Sequence, residues 1–355
     1  MEKVGIITFY GHTNYGNRLQ NFAVQTILED RGFIADTLVW VNNLLGWHTF
    51  TIRQYLKGND KASRIRHFWK FNKKYIRTKL YSGVGKKIPS KFISEYSYFV
   101  TGSDQVWNVK MNRKEENNNL YFLSFAEDKK KVCISPSIGI NTIPEEYVQR
   151  VRQWLSGFRY LSCREKRGAH EITRVTGREC EWLIDPTLYL SPEQWKTKLS
   201  LQSIGGLPYV FVFFLDGMSG ELHDQIREYA AGKYSIIDPS DPHSKYYDID
   251  PADFLELLSN AHMVFTDSFH VTAFSINFHV PFYVFPRNIV RNMTSRIESI
   301  CETFCLTNRY IKIQNSFDIL ESCNFEAADQ QLAVERQKFS EYLDKCFGQR
   351  LKGII

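Results

Sequence analysis

What most constrains the fold of this chain is a rhythm. Short β-branched or aromatic runs alternate with helix-period patterns along nearly its whole length, the signature of parallel sheets built from βαβ units. Predicted strands fall at 4–9, 36–40, 98–102, 131–135, 160–163 and 181–184, with a second series at 209–215, 234–238, 262–267 and 281–285. Predicted helices fall at about 17–30, 144–156, 219–232, 251–260, 269–278, 294–304 and 327–346. Between the two series, DPTLYLSPEQW…SIGGLPYV brings prolines and a Gly-Gly pair, punctuation that closes one unit and opens another. The 355 residues therefore read as an α/β protein of two domains, 1–195 and 205–330, followed by a C-terminal helix within 331–355.

Composition narrows the class further. The most apolar run, YVFVFFL at 209–215, is far short of the ~20 residues a membrane helix needs, so a cytoplasmic protein is expected, at most peripheral to a membrane. Seven cysteines, scattered and without a C-x-x-C pair, signal neither a disulfide framework nor a zinc site, and no metal is expected. Cys301 and Cys305, four apart, would share one helix face without a second ligand pair.

The net charge of +6 is unevenly spread, because residues 57–91 carry twelve Lys or Arg against the single acid Asp60. Within that segment Ile65, Phe68, Trp69, Phe71, Tyr75 and Ile76 mostly recur at helical spacing, which predicts a basic amphipathic helix rich in aromatics. Such a helix suits an anionic lipid surface or a nucleic acid, or it packs its aromatics on the domain and leaves its cations in water. No nucleic-acid module is recognisable, so no nucleic-acid partner is expected.

In open α/β sheets ligands bind beyond the carboxyl ends of the strands, so the loops after the strands are where chemistry is sought. After the first strand, Gly11 and Gly16 stand at P-loop spacing, but Asn17 and Arg18 occupy the places of the Lys and Ser/Thr that a P-loop needs. What is left is a helix N-terminus that favours an anion, or a tight turn with Asn17 near the cap. The next helix turns Leu19, Phe22, Ala23, Thr26 and Ile27 inward. In TGSDQVWN (101–108), Ser103, Asp104 and Gln105 could line the crevice, while Trp107 packs beneath. SCREKRG (162–168) sets Arg164 directly after a strand, as an anion fork or as a partner of Glu165. TDSFHVT (266–272) puts Asp267, Ser268 and His270 at a strand-to-helix junction, where His270 could donate a proton and Asp267 orient it.

Taken in order, NYGNRLQNFAVQ, VTGSDQVWN, SCREKRGA, LIDPTLYL and TDSFHVTAFSINFHVPF resemble the polysaccharide pyruvyl transferase family from about residue 5 to about 285, with an echo in TSRIESICETFCL (294–306). The resemblance implies two Rossmann-like domains facing a cleft, a GT-B-like architecture, with acceptor on the N-terminal and donor on the C-terminal side. It implies transfer of pyruvyl from phosphoenolpyruvate to two sugar hydroxyls as a cyclic ketal, with release of phosphate and no cofactor. His270, Asp104 and Arg164 would be catalytic. Arg164, Asp267, Ser268, His270 and, in the echo, Arg296 would bind donor; Asn14, Asn17, Arg18, Ser103 and Gln105 would bind acceptor. The partner implied is a sugar or a lipid-linked oligosaccharide of bacterial exopolysaccharide or capsule synthesis, which would give segment 57–91 a reason to touch an anionic inner membrane. Two departures stand out: Val271 replaces the family's usual Gly, and SPSIG (135–139) replaces its S-Y-A-like segment. A nucleotide-sugar glycosyltransferase of the same architecture and a non-catalytic carbohydrate or anion binder are the alternatives.

Overall fold

The computed structural model describes residues 1–56, 61–83, 87–112, 114–287, 294–312, 318–320 and 322–348. Parts of the basic segment (57–60, 84–86), of the second predicted domain (288–293, 313–317) and of the predicted C-terminal segment (349–355) lie outside the described residues. Two compact units emerge: Met1–Lys57, Trp69–Tyr189 and Glu335–Ile355 make the first, Gly58–Phe68 and Leu190–Val334 the second. The division thus falls at Leu190, and the C-terminal helix returns to the first unit instead of standing alone.

In chain order the first unit runs β1 (Lys3–Ile7), α1 (Tyr15–Glu29), β2 (Ile34–Trp40), α2 (Val41–Leu56), then α3 (Lys61–Tyr75), which belongs to the second unit as far as Phe68, β3 (Thr78–Tyr81), α4 (Ser90–Ile93) and β4 (Tyr98–Gly102). It continues through α5 (Glu115–Tyr121), β5 (Lys131–Ile134), α6 (Glu145–Ser156), β6 (Leu161–Cys163), α7 (Lys166–Thr176), β7 (Cys180–Trp182) and α8 (Pro186–Tyr189). Five strands form one sheet in the order β3-β2-β1-β4-β5, every pair parallel, while β6 and β7 pair separately. This is the Rossmann order, and its strand order reverses between β1 and β4. Glycine is needed in the central strand: a Cβ on Gly5 would sit 2.7 Å from Leu38 Cδ1 and 2.9 Å from Phe99 Cδ1, the side chains closing over β1 from both neighbours. Trp107 does pack beneath its loop, stacked on Phe122, whose other neighbour is Trp154 (ring centroids 5.4 and 4.7 Å).

The second unit has α9 (Pro192–Leu199), β8 (Tyr209–Phe213), α10 (Gly220–Ala230), β9 (Ser235–Ile237), α11 (Pro251–Ser259), β10 (Met263–Thr266), α12 (Phe269–Asn277), β11 (Phe282–Val284) and α13 (Thr294–Thr303). Its four strands are parallel in the order β11-β10-β8-β9, so the reversal lies between β8 and β10. A last helix, α14 (Glu326–Phe347), starts in this unit and ends in the first. There Arg31 Nη1 meets Asp344 Oδ1 at 2.6 Å and the Tyr342 hydroxyl donates to the carbonyl of Cys133 at 2.9 Å.

The basic segment resolves into two parts. Ile65, Phe68, Phe71 and Ile76 are buried, so the apolar side of α3 is spent on the protein's own core while Arg66, Lys70 and Lys74 stay exposed. Arg64 lies over the Tyr247 ring at 4.8 Å, which ties the start of α3 to the second unit. The seven cysteines are free thiols, and Cys305, at φ 58° past the end of α13, does not share a helix face with Cys301. No described helix is long and apolar enough to cross a membrane.

Candidate functional site

At the reversal point of the first sheet, the loop after β1 is closed by its own side chains. Asn14, not Asn17, caps α1: its Oδ1 accepts the Asn17 N–H at 2.9 Å, because the helix begins at Tyr15 and Asn17 is its third residue. That releases the Asn17 amide. Its Oδ1 takes the Gly11 N–H at 3.0 Å and its Nδ2 donates to Asp104 Oδ2 at 3.0 Å, joining the loops after β1 and β4. With the Gly11 N–H already committed, this turn does not cradle a phosphate as a P-loop does.

Arg18 is fully buried, and so is almost all of α1, polar residues included, rather than one apolar stripe. Its guanidinium donates to Asn17 Oδ1 (2.7 Å), Asn21 Oδ1 (3.2 Å) and the Phe9 carbonyl, and lies 4.5 Å over the Tyr10 ring. Among the described residues none of those hydrogen-bond acceptors is charged. Burial lowers its pKa to about 10, against the pull of Tyr10 and Asp104. A buried cation held only by neutral oxygens sets a positive potential under the reversal point, which favours an anion.

Asp104 itself adopts φ 69°, a left-handed conformation that non-glycine residues seldom hold. Its Oδ1 takes the Gln105 N–H at 2.8 Å and its carbonyl the Ser137 N–H at 2.8 Å. Ser137 Oγ in turn donates to Glu165 Oε1 at 2.5 Å, so the loops after β4, β5 and β6 are laced in a row. Gln105 is half-buried, and its Oε1 accepts from Asn108 Nδ2 at 2.9 Å.

Arg164 extends that row inward. Its side chain is 1% exposed and its Nη1 meets Asp185 Oδ2 at 2.7 Å; Ser103 Oγ donates to the same oxygen at 2.9 Å. Asp185 Oδ1 accepts from the Thr187 N–H and hydroxyl (2.9 and 2.8 Å). Burial alone would lower the Arg164 pKa, but Asp185 and Glu165 outweigh it and raise it. As placed, the guanidinium is a strut between strand ends, and an anion reaching it would have to compete with Asp185.

In the second unit Asp267 follows β10 and closes the reversal point. Its two oxygens accept the backbone N–H groups of Leu215 (2.8 Å) and Asp216 (3.0 Å), the loop after β8. Burial raises its pKa, opposed by Arg287, whose Nε donates to the Asp267 carbonyl at 3.1 Å. Asp267 therefore braces a loop, a role its sequence neighbourhood with His270 did not show. Arg287 was missed as well, although it stands three residues past β11, in the loop where the same strand-end rule looks. Ser268 is the N-cap of α12, yet its hydroxyl makes no capping bond and no hydrogen bond among the described residues. His270 stands half-buried in the first turn, beside the Phe269 ring, and Val271 is buried. A helix N-terminus presents N–H groups without intrahelical partners, and an uncapping serine there leaves a donor for an anion. Arg296 is buried in α13.

A further cavity of about 510 Å³ opens in the first unit, lined by Tyr10, His12, Trp69, Asn72, Lys73 and Arg77 among others. Burial, then Arg18 and His48, push the His12 pKa down to about 3, so its ring is neutral. These residues come from the loop after β1 and from α3 and its end, some sixty positions apart, and of them only Trp69 and Ile76 were legible, as part of a helix's apolar face. Among the described residues no group of three or more His, Cys, Asp or Glu side chains comes together as a metal site would require.

The family model for polysaccharide pyruvyl transferase matches residues 14–288. No curated protein gives a significant match. Among solved structures, UDP-GlcNAc 2-epimerase from Neisseria meningitidis, bound to UDP-GlcNAc, is 8% identical with a TM-score of 0.48, covering 97% of this chain and 100% of that one. Anabaena Alr3699/HepE, in complex with UDP and glucose, is 9% identical with a TM-score of 0.44, again over 97% of this chain and 100% of the other.

Proposed function

This chain belongs to the polysaccharide pyruvyl transferase family, and from that premise we propose that it transfers pyruvyl from phosphoenolpyruvate to two hydroxyls of one sugar as a cyclic ketal, in bacterial surface polysaccharide synthesis. A proton delivered to the methylene carbon makes it a methyl group and C2 an oxocarbenium-like centre. One sugar hydroxyl adds at C2 and loses its proton; the second displaces phosphate and loses its own. One released proton replaces the one delivered, and the other leaves with phosphate.

The observation that supports this most directly is the first turn of α12, inside the matched region: Ser268 with its hydroxyl uncommitted and His270 half-buried at the carboxyl end of β10. The donor phosphate sits at that helix N-terminus with Ser268, and His270 delivers the proton or contacts the phosphate. Arg287 and Arg296 add positive charge from the same unit. In the first unit Asp104 takes the proton of the attacking hydroxyl, with Asn14, Asn17 and Gln105 on the acceptor side. Arg18 supplies potential beneath them, while Arg164 and Ser103 hold the loop that carries Asp104. Phosphoenolpyruvate incubated with galactose, mannose and N-acetylhexosamine acceptors is expected to release phosphate only when an acceptor is present, with a new ketal methyl resonance. Release of a nucleotide from an activated sugar, with phosphoenolpyruvate inert, would overturn the assignment.

We propose further that the acceptor arrives on a lipid and that Arg66, Lys70 and Lys74 attract its anionic surface. With the apolar side of α3 buried, that attraction is electrostatic alone and weakens with salt. Replacing all three by Gln should lower cosedimentation with phosphatidylserine vesicles and spare turnover of a soluble acceptor; unchanged vesicle binding sinks the idea.

A further inference from the structure

We infer that the cavity between the β1 loop and α3 is a saccharide subsite that takes one pyranose ring carrying an anionic substituent, a carboxylate or a phosphate. The inference rests on the reading of the protein as acting on sugars, and names the chemistry of one sugar it holds.

The first ground is an unmet demand for hydrogen bonds. Asn72 is only 4% exposed, yet among the described residues neither its Nδ2 nor its Oδ1 has a hydrogen-bond partner, and the same holds for the buried indole Nε1 of Trp69. Both residues line the cavity. Buried polar side chains are almost always paired, and each exception asks for an explanation. A carboxamide offers two donors and an acceptor on one planar end, which matches a pair of neighbouring sugar hydroxyls, each both donor and acceptor. A purely apolar ligand would leave all three atoms unsatisfied.

The second ground is the wall. Trp69 is half-buried, Tyr10 presents its ring from the facing loop, and Ile76 and Leu80 complete an apolar rim. Tyr10 is itself fixed, one face on Arg18 at 4.5 Å and its hydroxyl 3.2 Å from Thr78 Oγ1. A rigid aromatic against which C–H faces stack, combined with a few convergent polar groups, fits a sugar, and a volume of about 510 Å³ lies within the roughly 300–1,000 Å³ of small-molecule pockets.

The third ground is charge. Lys73 lines the cavity and makes no ion pair among the described residues, and Arg77, 57% exposed, lines it too while spending its Nε on Asp36 at 2.9 Å. No carboxylate among the described residues lines the cavity. An ammonium on one edge and an opening without acids select an anion on the ring over a neutral sugar. Because the loop carrying Tyr10 continues into Asn14 and Asn17, a sugar here lies beside the acceptor side already described.

Binding, measured without phosphoenolpyruvate, tests this apart from the reaction. Methyl glucuronide, glucose 1-phosphate and methyl glucoside are titrated into the full chain while tryptophan fluorescence and calorimetric heat are followed. Both anionic ligands, or one of them, should bind about tenfold or more tightly than the neutral glycoside; which one does tells carboxylate from phosphate. Lys73→Gln should erase that preference. Asn72→Leu should lower affinity about tenfold while the melting temperature holds or rises, since it removes an unmet buried amide. A merely structural Asn72 would give the opposite, a lower melting temperature with binding intact. No binding of any glycoside at millimolar concentration, or equal binding of the neutral and anionic ligands, overturns the inference. A failed phosphate-release assay with binding intact would sink the ketal reaction and leave this subsite standing.

Discussion

His270→Ala is expected to lower acceptor-dependent phosphate release from phosphoenolpyruvate by about 10²–10⁴-fold, the usual worth of a positioned general acid, with the fold unchanged. The side chain is half-buried at the start of α12, and alanine is the better helix former, so the substitution carries little structural cost. The division of the loss between kcat and KM then decides the role. If the imidazole delivers the proton in the transition state, kcat falls and KM for phosphoenolpyruvate moves little; if it only binds the phosphate, KM rises with kcat nearly kept. Wild-type turnover in the variant would remove His270 from the chemistry, and Ser268 with Arg287 would remain as donor contacts only.

The second large effect is on stability. Arg164→Ala should cost about 3–5 kcal/mol in the unfolding transition of the first unit, the usual consequence of leaving one partner of a buried ion pair alone. Asp185 would then be held at 1% exposure without the guanidinium that answers its charge, its hydrogen bonds from Ser103 and Thr187 notwithstanding. Pairing the change with Asp185→Asn should recover most of the loss, because the buried charge goes with its partner. Denaturant melts of the single and double variants measure it. A melt that does not move, together with lost turnover, would mean that the guanidinium serves a bound anion and not Asp185.

Strand ends were the part of the molecule that sequence could locate. The runs at 98–102 and 262–267 carry enough β-branched and aromatic residues to mark β4 and β10, and the residues that follow them did land beyond the carboxyl ends of two parallel sheets. What those side chains touch was not legible. Arg164 and Asp185 are 21 positions apart, Asp267 and the amides it holds about 50, and nothing local in the sequence foretells such pairs. The same distance hid Asn72 and Tyr10 as two walls of one cavity. Several elements were missed outright: β3, α2, α4, α5, α7, α8 and α9. β3 is a four-residue edge strand, TKLY, sunk in a run of cations, and α2 has no charged residue in its first turn to announce it. At the start of α1 the pattern was right and the position was off by three, because two asparagines compete for the cap and only one can take the other's N–H.

The return of α14 to the first unit has a consequence for how the chain is made. Its Tyr342 and Asp344 close bonds on Cys133 and Arg31, so the first unit is finished by residues synthesised after the second. At ~5–20 residues per second, translation takes about 8–32 s to travel from the end of α8 to the end of α14. Through that interval a nascent first unit waits on the ribosome without its last helix, while every strand of the second has time to pair.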